Sequence, residues 1–514
     1  MNISKIIFFL CLIATNLSAQ LNAVADRHNA TYEVGESMHF NITSPTTGPA
    51  TYTIQYDERA PFLSEGTIDL QAGVTAKIPF TGKEPSFVLC KVVQFGTSST
   101  AAATFSPYDL QPFEDEPADF DAFWESMKAE LSTIPMDVQI WQHSSTNLST
   151  VYNISLANIE GRRVYGYVSV PNEGDNFPAV LIMPPFGSGP NHVKPENYVT
   201  EQLGVITMSI GIHNAPVAQG DPNAYQPNDL SSRETNYYRF AYMGAVRAID
   251  YIFSRPDFDG TNMAVMGVSQ GGGLSLCVSG LDNRVKLLVN SISALCQHSG
   301  YRYGKAAGHP YFIFKSKVET NDIEHELATG EASKYYDAVY FARRFDGPSL
   351  TYMSYEDVTC PPSTVLTANN QLLNTKLIVH RREEGHDSPD FWLGRFSFFR
   401  KHFPVTQNAP IGYVPETGYY ANAGADQTTS VNTPITLNGI VELDGTSITN
   451  LPIRWEKVSG PGRVAFGAAE SNTTTASFSE PGTYIIRFFA EDYNYPESEA
   501  KWVSIVDYVK VVVE

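Results

Sequence analysis

Between residues 106 and 405 the chain alternates short, almost continuously apolar segments with longer amphipathic ones, and this alternation restricts the fold more than any other feature. The apolar segments are FPAVLIMP, GVITMSI, NMAVMGV, RVKLLVNSI, SLTYMSY and TKLIVH. Between the second and the third, ETNYYRFAYMGAVRAIDYIFSR repeats its apolar residues at helical spacing. Strands that are apolar on both faces and alternate with helices are typical of a mostly parallel sheet covered on both sides. The segment therefore predicts an α/β fold.

The flanking segments have a different composition. Residues 20–105 are rich in Thr, Ser, Val and Tyr, in short alternating runs such as TYTIQY and SFVLCKVVQF. Turn residues separate these runs, a pattern that predicts a small β-sandwich. Residues 406–420 (TQNAPIGYVPETGYY) resemble a linker, and residues 421–514 return to β-like runs. The sequence therefore predicts an α/β domain between two β-sandwich domains.

The N-terminus has the features of a secretory signal. Lys5 precedes an apolar run that is too short to span a bilayer, and Leu17-Ser18-Ala19 resembles a cleavage site. We therefore expect residues 1–19 to be removed and the protein to be secreted or periplasmic, without insertion into a membrane.

Charge and cysteine content exclude several classes of partner and site. The formal net charge of −20 argues against nucleic acid and anionic membranes, since both attract basic surfaces. Cys90, Cys277, Cys296 and Cys360 form no C-x-x-C pair, so no structural zinc site is expected. A Cys277–Cys296 disulfide and buried free thiols both remain open.

One short motif places a nucleophile at the end of a predicted strand. Gly267-Val268-Ser269-Gln270-Gly271 directly follows NMAVMGV and matches G-x-S-x-G, the pattern of a nucleophile elbow. In such an elbow a strand turns sharply into a helix, and side chains at the flanking positions would collide with the backbone. The alternative is a glycine-rich turn with an incidental serine.

A serine hydroxyl needs a base, and the base needs an acid that orients it. Asp357 follows the strand SLTYMSY, and Glu356 beside it is the other candidate acid. Asp357 could instead cap the next helix. His386 lies in a loop after TKLIVH, whereas His380 lies within that strand. The order Ser269, Asp357, His386 is the order of catalytic residues in α/β-hydrolases, so we predict these three as catalytic.

An oxyanion hole usually combines the N–H after the nucleophile with one from an earlier strand-end loop. Gln270 supplies the first. The strand FPAVLIMP runs into Pro184-Pro185-Phe186-Gly187, and because proline has no N–H the first donors available there are Phe186 and then Gly187. We predict Phe186 and Gln270 as the pair. The chemistry requires no metal and no cofactor.

These residues resemble carbohydrate esterase family seven, the acetylxylan esterases and cephalosporin-C deacetylases. The resemblance covers roughly residues 110–404 and rests on DFDAFWESMKAEL, GVSQGGG, DVTCPPSTV and GHD. It implies an α/β-hydrolase fold, a nucleophile in the G-x-S-Q-G-G elbow at Ser269, and an acid in D-x-x-C-P-P-S-T at Asp357, which demotes Glu356. It also implies removal of acetyl groups from sugars.

Three positions depart from the family pattern. Phe186 stands where the family's H-G-Y-G-G loop has tyrosine, Gly211 to Asn214 (GIHN) replace R-G-Q-G, and Asp387 follows His386 where the family has glutamate. The departures bear on substrate preference and on whether the chain is a homo-oligomer like its family. The C-terminal AGADQTTSVNTPITLNG resembles a PKD-type Ig-like domain.

The sequence thus predicts an exported serine carboxylesterase acting on acetylated oligo- or polysaccharides. One alternative is another acyl hydrolase or a prolyl-oligopeptidase-like peptidase, although residues 20–105 are too short for the propeller of such peptidases. The other is a non-catalytic carbohydrate-binding protein on a hydrolase scaffold. Since every candidate residue lies within 106–405, this segment alone is expected to hydrolyse small acetates.

Overall fold

The computed structural model describes residues 20–57, 62–222, 224–225, 231–308, 323–386, 393–404, 418–493 and 501–514. The predicted signal at 1–19, most of the predicted linker and Asp387 lie outside the described residues.

The N-terminal segment forms two small sheets around a shared apolar core. The three-stranded sheet has the order β1-β3-β6 and the five-stranded sheet the order β2-β8-β7-β4-β5. Alternate residues of the strands, such as Met38, Phe40 and Ile42 of one sheet and Val88, Cys90 and Val92 of the other, are buried in that core. The strands are β1 Asn22–Ala25, β2 Thr31–Tyr32, β3 Ser37–Thr43, β4 Gly48–Tyr56, β5 Ser64–Leu70, β6 Ala76–Thr81, β7 Ser86–Gln94 and β8 Thr97–Phe105.

The middle segment alternates strands and helices as the apolar pattern predicts. Its strands are β9 Gln139–Ser145, β10 Ser149–Ala157, β11 Arg163–Pro171, β12 Phe177–Met183, β13 Ile206–Ile210, β14 Phe258–Val268, β15 Val285–Ser291, β16 Ser349–Ser354 and β17 Lys376–Arg381. Its helices are α1 Phe120–Ser132, α2 Asn197–Leu203, α3 Tyr237–Ser254, α4 Gln270–Leu281, α5 Ile323–Lys334, α6 Ala338–Ala342, α7 Pro362–Asn370 and α8 Leu393–His402.

Six neighbouring strands of this segment are parallel, in the order β13-β12-β14-β15-β16-β17. Successive residues of β12 face opposite sides: Leu181 packs in the core beneath α1, α3 and α4, and Ile182 in the core beneath α2 and α8. The carboxyl ends of the parallel strands meet at one edge, where ligands bind in open α/β sheets.

The C-terminal segment is also built of strands, which we call the C-terminal β-domain. It comprises β18 Tyr419–Asn422, β19 Gln427–Thr429, β20 Ile435–Asn438, β21 Ile440–Leu443, β22 Thr446–Ser447, β23 Ile453–Ser459, β24 Val464–Phe466, β25 Thr473–Phe478, β26 Gly482–Asp492 and β27 Lys501–Val513. Its longest strand, β27, pairs antiparallel with β17 of the middle segment. The sheet therefore runs without interruption into this domain, which differs from the separate module that the linker-like sequence indicates.

Two smaller points concern thiols and membranes. Cys277 and Cys296 are unbridged and buried, and burial raises the pKa of both thiols. Among the described residues no helix has the length and apolar character needed to cross a bilayer.

Candidate active site

Ser269 lies at the turn between β14 and α4. Its backbone has φ 59° and ψ −120°, a region that serine rarely adopts. Three backbone hydrogen bonds hold it there: its N–H donates to the Ser291 carbonyl over 2.9 Å, and its own carbonyl accepts from Ala294 at 2.9 Å and from Gly273 at 3.2 Å. The loop after β15 thus supports the strained turn.

The glycines around Ser269 are required by close backbone contacts. A Cβ at Gly267 would lie 2.3 Å from the Gly271 carbonyl, and a Cβ at Gly271 would lie 2.4 Å from the Met183 oxygen. Both neighbours are backbone atoms that cannot rotate away. The glycines let α4 start directly against the ends of β12 and β14.

Asp357 lies three residues beyond the end of β16, with a fully buried side chain. Its Oδ1 accepts the backbone N–H groups of Thr359 and Cys360, each over 2.8 Å. These two bonds aim the other carboxylate oxygen, Oδ2, at the ring of His386, 2.8 Å from Nδ1. Of the two candidate acids it is Asp357, and not Glu356, whose carboxylate meets the imidazole.

His386 joins the acid to the serine. Its Nε2 is 3.0 Å from the Ser269 Oγ, and its side chain is one quarter exposed. With the proton on Nδ1 donated to Asp357, Nε2 is the acceptor for the serine hydroxyl. His380, by contrast, is buried within β17, where it contacts the Tyr355 hydroxyl and the Ser504 hydroxyl.

The predicted oxyanion donors lie on neighbouring elements. Gln270 is the first residue of α4, where backbone N–H groups have no partner within the helix. Its buried side chain holds the Phe186 loop, because Nε2 donates to the Pro185 carbonyl at 3.3 Å and to the Tyr225 hydroxyl at 3.0 Å. The N–H of Gly187, the other candidate in that loop, donates to the same hydroxyl over 2.9 Å.

A polar cluster that no sequence motif predicts lies beneath this loop. His213, from the GIHN segment, contacts the Gly187 carbonyl through Nε2 at 3.0 Å and the Tyr237 hydroxyl through Nδ1. Burial lowers the pKa of His213, so the neutral ring donates from Nε2 and accepts at Nδ1. Tyr225 stacks on the Phe186 ring with centroids 4.2 Å apart. Only the missing R-G-Q-G motif marked this segment as unusual in the sequence.

A cavity of about 270 Å³ opens at the carboxyl ends of β12 to β15, beside the elbow. Met183, Val268 and Ser291, at the ends of strands beside the elbow, line it together with Arg395 of α8, whereas Ser269 and His386 are not among its lining residues. Burial lowers the pKa of Arg395 to about 9. This volume is just below the range of about 300–1,000 Å³ that is typical of small-ligand sites, and its walls are mainly apolar.

Asp357, Cys360 and His386 also place one potential metal-ligating atom each within 4.8 Å of one another. Two of the three already take part in the hydrogen-bonded chain that ends at Ser269. A metal at this point would have to replace the bond between Asp357 and His386. The observed arrangement therefore suits proton transfer better than metal ligation.

Comparisons with known proteins identify the family of the chain. Residues 107–402 match the family model described as acetyl xylan esterase (AXE1), and residues 423–506 match a family model described as a PKD domain. The chain is 30% identical over 376 residues to the acetyl esterase Axe7A of Xylanibacter ruminicola, covering 68% of this chain and 84% of that protein.

Solved structures support the same fold. The acetyl xylan esterase of Paenibacillus sp. R4 superimposes with a TM-score of 0.52 at 24% identity, over 58% of this chain and 98% of that one. The predicted α/β-hydrolase fold and the C-terminal PKD domain are thereby confirmed. Since the family model spans more than half of the residues, the chain belongs to the acetyl xylan esterase family and is a carboxylic ester hydrolase.

Proposed function

We propose that this chain is an exported serine esterase that removes acetyl groups from acetylated sugars, with Ser269, His386 and Asp357 as its catalytic residues. The observation that carries the proposal is the hydrogen-bonded chain itself. Its two contacts, 3.0 Å from the serine to the imidazole and 2.8 Å from the imidazole to the carboxylate, are within the range of ordinary hydrogen bonds.

The chemistry follows from the order of the groups. As the Ser269 Oγ attacks the acetyl carbonyl carbon, His386 Nε2 takes the hydroxyl proton and Asp357 stabilises the imidazolium. The carbon–oxygen bond to the sugar then breaks, and the imidazolium gives its proton to the leaving alkoxide. Water repeats both steps on the acetyl-enzyme, which releases acetate and restores the serine.

The negative charge that develops on the carbonyl oxygen needs donors that are already in place. The backbone N–H of Gln270 supplies one, at the N-terminus of α4, where the helix dipole favours negative charge. The backbone N–H of Phe186 supplies the other. Gly187 is the less suitable second donor, because its N–H already donates to Tyr225.

Two observations support a neutral acetylated carbohydrate as the substrate. The relatives are named as an acetyl esterase and an acetyl xylan esterase, and the chain is strongly acidic. The signal-like residues 1–19 support export to the periplasm or the medium. We also propose that the two N-terminal sheets form the β-sandwich predicted from residues 20–105.

A substrate panel tests this function. The full chain is assayed with p-nitrophenyl acetate, butyrate and octanoate, and acetate release is measured from acetylated xylo-oligosaccharides. We expect acetate esters to be hydrolysed fastest and the oligosaccharides to release acetate. Faster hydrolysis of octanoate, with no acetate release from sugars, would instead indicate a lipase-like acyl hydrolase.

A further inference from the structure

The C-terminal β-domain is joined to the strand that precedes His386. Strand β27 pairs with β17 over six residues, from Lys376 opposite Val506 to Arg381 opposite Lys501. Lys501 therefore lies at the carboxyl end of β17, the end at which the loop to His386 begins. A backbone ladder of this length fixes the position of β17 relative to the C-terminal β-domain.

The side chain of Lys501 reaches the loop that carries the histidine. Its Nζ lies 3.3 Å from Glu384 Oε1, and Arg381 Nη1 donates to Glu384 Oε2 over 2.7 Å. Lys501 and Arg381 are almost completely buried, and Glu384 is one quarter exposed. An ion pair in such a setting is less screened than one at the surface, so it holds the loop more firmly.

Glu384 connects both loops of the proposed catalytic chain. It lies two residues before His386, and its backbone carbonyl accepts the N–H of Glu356 over 3.1 Å. Glu356 immediately precedes Asp357. A shift of Glu384 would therefore move the acid loop and the base loop relative to each other.

Aromatic rings also pack against β17 beside this ion pair. The Trp502 ring stacks on the His380 ring with centroids 4.7 Å apart and planes 2° apart, and it meets Tyr355 edge to face at 5.4 Å. His380 Nε2 lies 2.9 Å from the Ser504 hydroxyl. Because burial lowers the pKa of His380 to about 3, this ring is neutral at ordinary pH.

The apolar core continues across the same junction. Leu377 and Val379 of β17 lie in one cluster with Ile505 of β27 and Trp455 and Phe488 of the C-terminal β-domain. An independent module on a linker would have a separate hydrophobic core and would contact its neighbour over a small polar surface. Here the two segments share a sheet, an apolar core and a largely buried ion pair.

From these contacts we propose that the C-terminal β-domain holds the active site in its catalytic geometry. In this proposal Lys501 is a positioning residue, which fixes the His386 loop through Glu384. The proposal rests on the proposed function, in which His386 is the base. In this role the C-terminal β-domain keeps the catalytic residues in position, in addition to any binding of a polymeric substrate.

Single substitutions test the role of Lys501 in the full chain. Lys501→Met removes the charge and keeps much of the volume, and Lys501→Arg restores the charge. Lys510→Met is the matched control, since Lys510 lies on the same strand and pairs with Asp426 at an exposed site away from the histidine loop. For each variant, kcat and KM for p-nitrophenyl acetate and the melting temperature are measured.

We expect Lys501→Met to lower kcat by about tenfold to a hundredfold, since a misplacement near 1 Å can cost that much. KM should change little, Lys501→Arg should recover most of kcat, and Lys510→Met should resemble the wild type. A folded Lys501→Met variant with wild-type kcat would overturn the proposal. If that variant does not fold, Glu384→Ala decides in the same way: lowered kcat supports the proposal and unchanged kcat overturns it.

A Ser269→Ala variant assayed in parallel separates this proposal from the proposed function. If that variant retains activity, the catalytic chain itself is wrong. If it is inactive while Lys501→Met and Glu384→Ala keep wild-type kcat, only the role of the C-terminal β-domain is wrong.

Discussion

At the scale of single residues, Ser269 combines a strained backbone with a hydroxyl that meets a histidine. The strain is maintained by hydrogen bonds to Ser291 and Ala294, so the surrounding backbone stabilises a partly exposed nucleophile. The motifs predicted Ser269, Asp357 and His386 as candidates, because each follows a strand of a parallel sheet and such strand ends meet at one edge. These three residues lie in hydrogen-bond contact.

The supporting residues could not be predicted in the same way. Tyr225, Tyr237 and His213 come from segments without a motif, and they meet only because the chain folds back beneath the Phe186 loop. Hydrogen bonds between distant side chains leave no periodicity in a sequence. A comparison of the GIHN segment with R-G-Q-G identifies the position, but not its partners.

Asp357 and Glu356 offer a direct test of which carboxylate is the acid. Asp357→Asn should lower kcat by about 10⁴, because an amide favours the wrong imidazole tautomer. Glu356→Gln is the matched control and should have a far smaller effect, since its carboxylate is not the one on His386. Steady-state kinetics with p-nitrophenyl acetate measures both. A larger loss for Glu356→Gln would show that the carboxylate is assigned wrongly.

Phe186 tests a backbone role against a side-chain role. Phe186→Pro removes the proposed donor N–H and should lower kcat by about 10² to 10³, the usual loss for one oxyanion donor. Phe186→Tyr keeps the N–H and should be nearly neutral. Thermal unfolding must first show that the proline variant folds. Wild-type kcat in a folded proline variant would place the donor elsewhere, with Gly187 next.

At the scale of elements, the elbow and the β17–β27 pair determine the geometry of the site. The strand–turn–helix geometry of the elbow was predictable, because glycines at fixed positions around a serine meet a local steric need. The pairing of β17 with β27 was not, because it joins segments separated by a proline-rich stretch that resembles a linker. Sequence patterns report which segments are strands more readily than which strands become neighbours.

Gly271 tests the steric account of the elbow. In Gly271→Ala the new methyl group would lie 2.4 Å from the Met183 oxygen, so either α4 or β12 must shift, at a cost of about 1–3 kcal/mol in stability. Gly330→Ala is the control, because Gly330 lies in α5 and the nearest atom is the movable end of the Arg302 side chain, at 3.2 Å. Chemical denaturation measures both. Equal stability of the two variants would contradict the steric account.

At the scale of the whole molecule, three segments of the chain form or contact the edge of the central sheet at which the candidate catalytic residues lie. The middle segment carries every candidate catalytic residue, and the C-terminal β-domain continues its sheet and core. The N-terminal segment also contacts the site region, since Phe87 meets Tyr355 edge to face at 4.9 Å and Arg382 donates to the His28 carbonyl over 2.6 Å. Both flanking segments therefore support the loops of Asp357 and His386.

This organisation motivates a different expectation from the one that residues 106–405 suffice for catalysis. Without the C-terminal β-domain, β17 becomes an open edge and the apolar residues beneath it are exposed to water, a state that favours aggregation. We expect the segment 106–405 to melt at a lower temperature than residues 20–514, or to be insoluble, and to lose kcat on p-nitrophenyl acetate. A soluble segment with the melting temperature and kcat of the longer chain would contradict this.

Acetate release from acetylated xylo-oligosaccharides by the wild type and by Ser269→Ala measures whether Ser269 is the nucleophile of a sugar deacetylase. The substitution removes one oxygen atom from a partly exposed side chain, so the melting temperature should not change. If Ser269 is the nucleophile, we expect kcat to fall by about 10⁶. A folded Ser269→Ala variant that releases acetate within about tenfold of the wild-type rate, a difference of only about 1.4 kcal/mol in the barrier, would contradict it.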